Sequence, residues 1–202
     1  MTKIKAVIFD IGGVLALHRT NSPNLHASIS KRLYISVDQW FDAIDVTYAR
    51  SVEGKISEKK VLDIFSKNIG VKKGKLKRII IEEYRKEFIQ NKKLYDFAFS
   101  LGKKGYKTAI LSDQWHLSKR AVVPPKYIKK FDVVVISCDV GMRKPGMEIF
   151  RLTLKKLKLS ANQTIFIDNQ KWNIKPAKKL GMNTILFKNN KQFFREIKRY
   201  KL

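Results

Sequence analysis

The chain has 202 residues, 44% of them hydrophobic, which suffices for one domain of ordinary size or for a core with a smaller inserted module. Its 43 Lys and Arg residues against 17 Asp and Glu residues give a formal net charge of +26, so the surface should attract polyanions. Aromatic and branched apolar residues recur along the whole length, which argues against disorder, and the single cysteine, Cys138, excludes an internal disulfide. A cytoplasmic globular protein is expected.

The first predicted strand is the short apolar run at residues 4–9, which ends in Asp10 and the glycine pair Gly12 and Gly13. A continuous apolar run of this length is typical of a buried strand in a parallel sheet. The same stretch is too short and too interrupted for a signal peptide or a membrane span. No membrane association is expected.

Residues 16–90 lack a strong strand pattern and show apolar residues at helical spacing instead. Helices are predicted around residues 24–33, 38–50, 57–68 and 73–90. An ordinary crossover between parallel strands holds one helix, so this segment is too long for one. We interpret residues 16–90 as an inserted helical cap above the carboxyl ends of the strands, where open α/β sheets bind ligands.

Four further apolar runs follow, and helical patterns separate them. The predicted strands are at residues 108–111, 133–136, 164–167 and 184–187, and the helices are at 92–104, 147–157, 171–180 and 192–200. Strands that alternate with helices indicate a parallel sheet. The predicted fold class is α/β, with a Rossmann-like parallel-sheet core (residues 1–15 and 91–202) and an inserted α-helical cap (residues 16–90).

Polar residues end several of these strands or lie in the loops beyond them. Asp10 follows the first strand, and a carboxylate placed there can attack phosphorus, although such an Asp can also cap a loop. Ser112 and the N–H groups after it suit phosphate oxygens, although Ser is also a common helix cap. Lys144 precedes Pro145 and a helix start, which alone is weak evidence in so lysine-rich a chain. Asp168 gives a second strand-end carboxylate, which suits Mg²⁺.

Four segments together resemble the successive motifs of the haloacid dehalogenase superfamily, in the same order: VIFDIGGVL, ILSD, MRKPGMEIF and IFIDNQKWNIKPAKKLGM. The intervening helices, with the phrase EGKISEKKVLDIF, resemble that family's helical cap. The resemblance implies a Mg²⁺-dependent hydrolase that cleaves a small phosphorylated substrate through an aspartyl-phosphate on Asp10.

The resemblance also implies a role for each matching residue. Asp10 and Lys144 are the expected catalytic residues, and Lys144 balances charge on the nucleophile and the phosphate. The expected phosphate-binding residues are Ser112, Asp113 and Lys144. The expected metal ligands are Asp10, Asp168 and the main-chain carbonyl of Gly12, with Asn169 in a supporting position.

Two positions depart from the usual phosphatase pattern of that family. Gly12 replaces a second Asp that generally protonates the leaving group and then activates water, which is help typically worth about 10²- to 10⁴-fold. Asn169 replaces a second acidic residue and should lower metal affinity. The loss at Gly12 suggests a substrate whose leaving group needs little protonation, such as a sugar 1-phosphate, an aryl phosphate or an acyl phosphate. His18 is a candidate substitute for the missing acid.

Two other functions are compatible with the sequence. A metal-independent 2-haloacid dehalogenase needs no acid at Gly12, because halide leaves unprotonated. A catalytically weakened or non-catalytic homologue that binds phosphate or a polyanion would tolerate both departures and would use the positive charge. A nucleic-acid partner is not favoured, because the lysines are spread as doublets on solvated faces and the densest run, at residues 72–78, is interpreted as a loop leading into a helix.

Several aromatic residues have two interpretations each. Trp115 and His116 follow Ser112 closely and either line the substrate pocket or pack against a neighbouring element. Trp40, Phe41 and Tyr48 lie at helical spacing and are predicted to form the core of the cap. The sequence indicates neither the substrate nor the oligomeric state.

Overall fold

A computed structural model describes residues 3–19 and 24–202 of the chain. Its strands are β1 (Ala6–Phe9), β2 (Ala16–His18), β3 (Phe88–Gln90), β4 (Lys107–Ser112), β5 (Val133–Ile136), β6 (Thr164–Asp168) and β7 (Asn183–Leu186). Five of them form a parallel sheet in the order β5-β4-β1-β6-β7. The predicted α/β fold with a Rossmann-like parallel sheet is confirmed.

Helices account for most of the remaining described chain. Between β2 and β3 lie α1 (Leu25–Leu33), α2 (Val37–Val52), α3 (Glu58–Ile69) and α4 (Lys73–Glu87). The other helices are α5 (Lys92–Lys103), α6 (His116–Val122), α7 (Pro125–Ile128), α8 (Ser137–Val140), α9 (Met147–Leu157), α10 (Lys171–Lys179) and α11 (Asn190–Ile197). The four helices predicted within residues 24–90 are therefore present.

Strand β1 lies at the centre of the sheet because its side chains are apolar on both faces. All four of its residues are fully buried. Val7 and Phe9 belong to one hydrophobic cluster, whereas Ala6 and Ile8 belong to a second cluster. Successive side chains of a strand point to opposite faces, so the two clusters are the two helix-covered layers of the sheet.

Helices α2 and α3 begin at serines that satisfy their first N–H groups. The Ser36 hydroxyl accepts a hydrogen bond from the Gln39 N–H (3.0 Å), and the Gln39 side chain accepts one from the Ser36 N–H (2.9 Å). Ser57 caps α3 in a similar way through the Lys60 N–H (3.3 Å). These caps fix where α2 and α3 start.

Two local predictions were wrong. Residues 88–90 do not continue a helix but form β3, which pairs antiparallel with β2, since tertiary pairing outweighs helix propensity there. Residues 73–78 are not a loop but the first turns of α4, because Leu76, Ile79 and Ile80 are buried along one helix face. The ribbon of β2 and β3 lies where the core was predicted to meet the cap; the domain boundaries themselves stay a prediction.

Trp115 joins the helices between β2 and β3 to the rest of the chain. Its indole N–H donates to the Tyr84 hydroxyl (2.9 Å), and its ring lies 5.3 to 6.1 Å from the rings of Tyr48, Phe65 and Tyr84. Trp115 is only 2% exposed, so it packs in this cluster and does not line an open pocket. Neighbouring His116 has its Nε2 2.8 Å from the Ile56 carbonyl oxygen.

Predictions for the aromatic residues of α2 were partly right. Trp40 is buried and Tyr48 packs against the hydrophobic core, but Phe41 is 46% exposed, because it follows Trp40 directly and so points away from the buried helix face. No helix in the described part of the chain is long and apolar enough to cross a membrane.

Candidate active site

The sheet brings the predicted strand-end residues to one edge. Phe9, which precedes Asp10, pairs with Ile110 of β4 on one side and with Ile167 of β6 on the other. The end of β4, Asp10 and Asp168 therefore follow one another across three neighbouring strands. Asp10 is fixed there by its own N–H, which donates to the Ile167 carbonyl (2.9 Å).

Lys144 lies at the centre of this edge. Its ammonium nitrogen is 2.9 Å from Oδ1 of Asp10 and 2.6 Å from Oδ2 of Asp168, and only 2% of the residue is exposed. The main-chain N–H of Lys144 donates to Oδ1 of Asp113 (3.1 Å). The ammonium of Lys144 thus contacts two carboxylates and its main chain contacts a third, and the three acidic residues come from three different segments of the chain.

The charge balance of this cluster is negative, since three carboxyl groups surround one ammonium. Burial raises the pKa of Asp10 to about 6, although the nearby Lys144 ammonium favours the carboxylate and acts to lower this pKa. Burial also raises the pKa of Asp113, again opposed by Lys144. For Lys144, burial disfavours the charged form, but the carboxylates of Asp10, Asp168 and Asp113 outweigh it and raise its pKa. Lys144 is therefore charged at neutral pH.

The Asp168 carboxylate is held by two further donors. The Gln170 N–H donates to its Oδ1 (2.7 Å), and the Asn173 side-chain amide donates to its Oδ2 (3.0 Å). Asn173 is 5% exposed and was not among the predicted site residues. The sequence feature that could have identified Asn173 is its position five residues after Asp168, on the buried face at the start of α10.

Ser112 is fully buried at the end of β4 and belongs to a small polar network. Its hydroxyl accepts a hydrogen bond from the Gln114 side-chain amide (3.1 Å), and the side-chain oxygen Oε1 of Gln114 accepts one from the Ser118 hydroxyl (2.7 Å). The Gln114 N–H donates to the Ser137 hydroxyl (3.0 Å). Sequence reasoning missed these supporting residues because nothing in their spacing connects β4 with the end of β5.

The glycine pair after Asp10 has two different environments. Gly13 has a φ of +76°, and a methyl group there would lie 2.2 Å from Nδ2 of Asn169, so both its conformation and its neighbour require glycine. A Cβ atom at Gly12 would meet no other group within 4 Å, and Gly12 is outside the left-handed region. Asn169 therefore packs against the loop, whereas the missing acid at Gly12 leaves open space.

His18 and Asp113 make contacts that bear on their predicted uses. Nδ1 of His18 is 2.7 Å from Oε1 of Glu87, and its ring lies against Phe88 on the β2 and β3 ribbon. The Asp113 carboxyl group accepts the Lys144 N–H, so any contact of Asp113 with phosphate falls to its main-chain N–H. The phosphate-binding role of Asp113 stays a prediction.

The donor chemistry of this edge fits a magnesium ion. No group of three or more His, Cys, Asp or Glu residues is arranged for a metal within residues 3–19 and 24–202. Mg²⁺, however, is commonly held by one or two carboxylates together with waters and substrate phosphate oxygens. Asp10 and Asp168, which meet at Lys144 with excess negative charge, match that requirement, and the Gly12 carbonyl would add a third hard oxygen.

Comparison with known proteins decides the family. Residues 7–187 match the haloacid dehalogenase-like hydrolase family. The chain belongs to this family. The predicted superfamily membership and the predicted hydrolase class are thereby confirmed.

Relatives within the family include phosphatases. D-ribitol-5-phosphate phosphatase of Bacteroides thetaiotaomicron is 27% identical over 96% of this chain and 97% of its own length. Bifunctional epoxide hydrolase 2 of Sus scrofa is 36% identical over 50% of this chain, but the match spans only 19% of that longer protein. The crystal structure of a HAD family enzyme of B. thetaiotaomicron, in complex with magnesium and inorganic phosphate, has a TM-score of 0.74 at 19% identity and covers 93% of this chain and 96% of that one. At this identity the structural likeness shows the shared fold.

Replacing Lys144 by Met should destabilise the fold, since Asp10 and Asp168 would lose their buried counter-ion. We expect the free energy of unfolding at pH 7, measured by urea denaturation in the presence of a chelator, to fall by about 3 to 5 kcal/mol. The wild-type contribution is complete at pH 7, because the raised pKa of Lys144 lies far above that pH. In the variant, stability should recover as the pH falls towards 5 and the carboxylates take up protons.

The matched control for this variant is Lys103→Met. Lys103 is exposed at the end of α5, so its loss should change the free energy of unfolding by no more than about 0.5 kcal/mol. A loss below about 1 kcal/mol for Lys144→Met would contradict the central role given to this side chain.

Proposed function

We propose that the protein is a Mg²⁺-dependent phosphomonoesterase that acts on a small phosphorylated metabolite through an aspartyl-phosphate on Asp10. The observation that carries the proposal is the convergence of Asp10, Ser112, Lys144 and Asp168 at the carboxyl-end edge of the sheet, with Lys144 within 2.9 Å of both carboxylates. The full-length similarity to a ribitol-phosphate phosphatase supports a phosphomonoester substrate.

In the proposed reaction, a carboxylate oxygen of Asp10 attacks phosphorus, and the bond between phosphorus and the ester oxygen breaks. Lys144 and the Ser112 hydroxyl hold the phosphoryl oxygens, and the ammonium offsets charge that would otherwise repel the nucleophile. Water then attacks phosphorus of the aspartyl-phosphate, which releases inorganic phosphate and restores the Asp10 carboxylate. Mg²⁺, held by Asp10, Asp168 and the Gly12 carbonyl, would neutralise charge on the phosphoryl group.

The leaving oxygen would receive no proton from position 12. His18, the substitute acid considered from the sequence, lies beside Glu87 and Phe88 on the ribbon. We therefore propose that preferred substrates have leaving groups that are stable without protonation, such as an anomeric sugar oxygen, a phenol or a carboxylate. The missing acid would also fit a weakened or non-catalytic phosphate-binding homologue, which is the first alternative, and it would suit a halide, which makes the metal-independent dehalogenase the second alternative.

The first test is steady-state hydrolysis of an aryl phosphate by the wild type and by Asp10→Asn, each with Mg²⁺ and with a chelator. We expect turnover that requires Mg²⁺ and vanishes in Asp10→Asn. Asn keeps the shape of the side chain but is a far weaker nucleophile, so folding checked by circular dichroism serves as the control. Wild-type turnover equal to that of the variant would favour a non-catalytic phosphate-binding protein, and activity towards 2-haloacids in chelator would favour the dehalogenase.

Magnesium affinity should depend on pH through Asp10. Burial raises the pKa of this carboxyl to about 6, so a proton competes with the metal below that pH and not above it. We expect affinity measured by calorimetry to fall about tenfold between pH 7 and pH 5 and to stay nearly constant from pH 7 to pH 8. In Asp10→Asn the step near pH 6 should be absent; a wild-type affinity that is equal at pH 5 and pH 7 would refute the assignment of Asp10 as a ligand.

Gly12→Asp tests the leaving-group hypothesis directly. The open space at Gly12 admits the new side chain, which would supply the missing acid. The ratio of kcat/KM for a primary-alkyl phosphate to that for an aryl phosphate should rise by at least about tenfold, because only the alkoxide needs a proton. Gly12→Asn, which has the same shape but no acid, should leave the ratio unchanged. Wild-type enzyme that already cleaves both substrates equally fast would overturn the hypothesis.

A further inference from the structure

A groove lies at the amino-end edge of the main sheet, opposite the active-site edge. Its volume is about 720 Å³, within the usual range of small-ligand sites. We call it the basal groove and define it by Lys3, Tyr106, Asn183, Arg199, Tyr200 and Lys201. Strand β6 has five residues, so about 13 Å of strand separates its first residue, at this edge, from Asp168.

The basal groove continues into a second hollow of about 310 Å³, which shares Lys3 and Tyr106 with it and adds Lys5, Lys104 and Lys107. None of the described residues that line the two hollows is Asp or Glu. The two hollows therefore form one path lined with positive charge along the bottom of the sheet.

Most acidic residues of the described chain are engaged elsewhere. Glu58, for example, pairs with Lys77 and Arg120, and Glu83 pairs with Arg32 and Lys86. No ion pair to a described Asp or Glu involves any of the six cations along the basal groove and its continuation. The sequence suggested evenly spread lysines, and the fold lines this groove with six cations that have no described acidic partner.

Two tyrosines accompany these cations. Tyr106 and Tyr200 both line the basal groove and both are partly buried. The Arg199 guanidinium lies 4.9 Å from the centre of the Tyr200 ring and donates a hydrogen bond to its hydroxyl (2.9 Å). A cationic groove with aromatic rings is the combination that single-stranded nucleic acids occupy, because the cations follow the phosphates and bases stack on the rings.

An anionic membrane is a poorer fit to this edge. Binding at a lipid surface usually adds exposed apolar side chains to the basic residues. The large exposed apolar side chains of the described chain, such as Tyr34, Phe41, Val46 and Trp172, are not among the residues that line the basal groove. The groove therefore offers charge and rings within a cleft, without residues that would insert into lipid.

We propose that the basal groove binds single-stranded nucleic acid, with phosphates along Lys3, Lys5 and Lys201 and a base against Tyr200. Binding at this edge leaves the active site accessible, so the two activities are separable. The proposal also gives the net charge of +26 a use that the phosphatase reaction does not supply.

The proposal is tested by fluorescence anisotropy with a labelled single-stranded oligonucleotide of twelve thymidines, dT12, that carries no terminal phosphate. The main variant is the triple Lys3→Ala, Lys5→Ala and Lys201→Ala. The three lysine side chains are exposed, so the variant should retain its fold. We expect the triple variant to weaken binding at least tenfold at low salt. The slope of log affinity against log salt should fall by about 2, since each lost phosphate contact contributes about 0.7.

The matched control is the triple Lys59→Ala, Lys60→Ala and Lys67→Ala on α3, which removes the same charge from exposed positions. It should change affinity less than about twofold. Equal losses for the two triples would overturn the proposal, since attraction would then come from the overall charge. Tyr200→Leu should weaken binding about fivefold or more through lost stacking. If Tyr200→Leu has no effect and inorganic polyphosphate binds as tightly as dT12, the groove is a general anion surface and the nucleic-acid assignment is wrong.

Two further measurements separate this proposal from the proposed phosphatase activity. Asp10→Asn should bind dT12 as tightly as the wild type, and the basal triple should hydrolyse an aryl phosphate at the wild-type rate. Loss of dT12 binding in Asp10→Asn would place the oligonucleotide in the active site instead. Binding to vesicles with 30% phosphatidylserine but not to dT12 would assign the groove to lipid and overturn the proposal.

Discussion

The buried Lys144 ammonium is the interaction on which the rest of the site depends. It contacts Asp10 and Asp168, which end two neighbouring strands, and its own N–H is held by Asp113. Carboxylates so close together in a buried place would otherwise repel each other and take up protons. The ammonium keeps them charged and the strand ends together, and the remaining excess of negative charge attracts a metal cation. Stability and proposed chemistry therefore rest on the same side chain.

The helices between β2 and β3 are held against the rest of the chain by packing and by close main-chain contact. Trp115 enters an aromatic cluster with Tyr48, Phe65 and Tyr84, and its indole N–H is satisfied by the Tyr84 hydroxyl. Gly54 approaches the carbonyl oxygen of Cys138 so closely that a methyl group there would lie 2.7 Å from it. Burial raises the pKa of the Tyr48 hydroxyl, while the charge of Arg143 lowers it and that of Asp113 raises it. The hydroxyl therefore stays protonated and neutral at neutral pH.

The two ends of the parallel sheet differ in charge, and this difference separates the uses that we propose for them. At the carboxyl ends, carboxylates outnumber the one buried lysine, which suits a metal and a phosphoryl group together. At the amino ends, the lining residues include lysines and an arginine but no described acidic residue. The edge opposite the nucleophile therefore presents cations without neighbouring acidic residues.

The sequence by itself determined the five strands of the main sheet and the long helices, because buried parallel strands are short apolar runs. It also singled out the polar residues at the strand ends, which are visible in the chain and whose functional roles stay predictions. It also located the four helices of residues 24–90. It missed the ribbon of β2 and β3, because these two strands pair although they lie about seventy residues apart in the chain. Only the tertiary structure decided that Asn173 supports Asp168, that Gln114 and Ser137 support Ser112, and that Gly12 faces open space while Gly13 lies against Asn169. These relations join segments that are distant in sequence, and neither periodicity nor composition encodes which side chains meet when the chain folds.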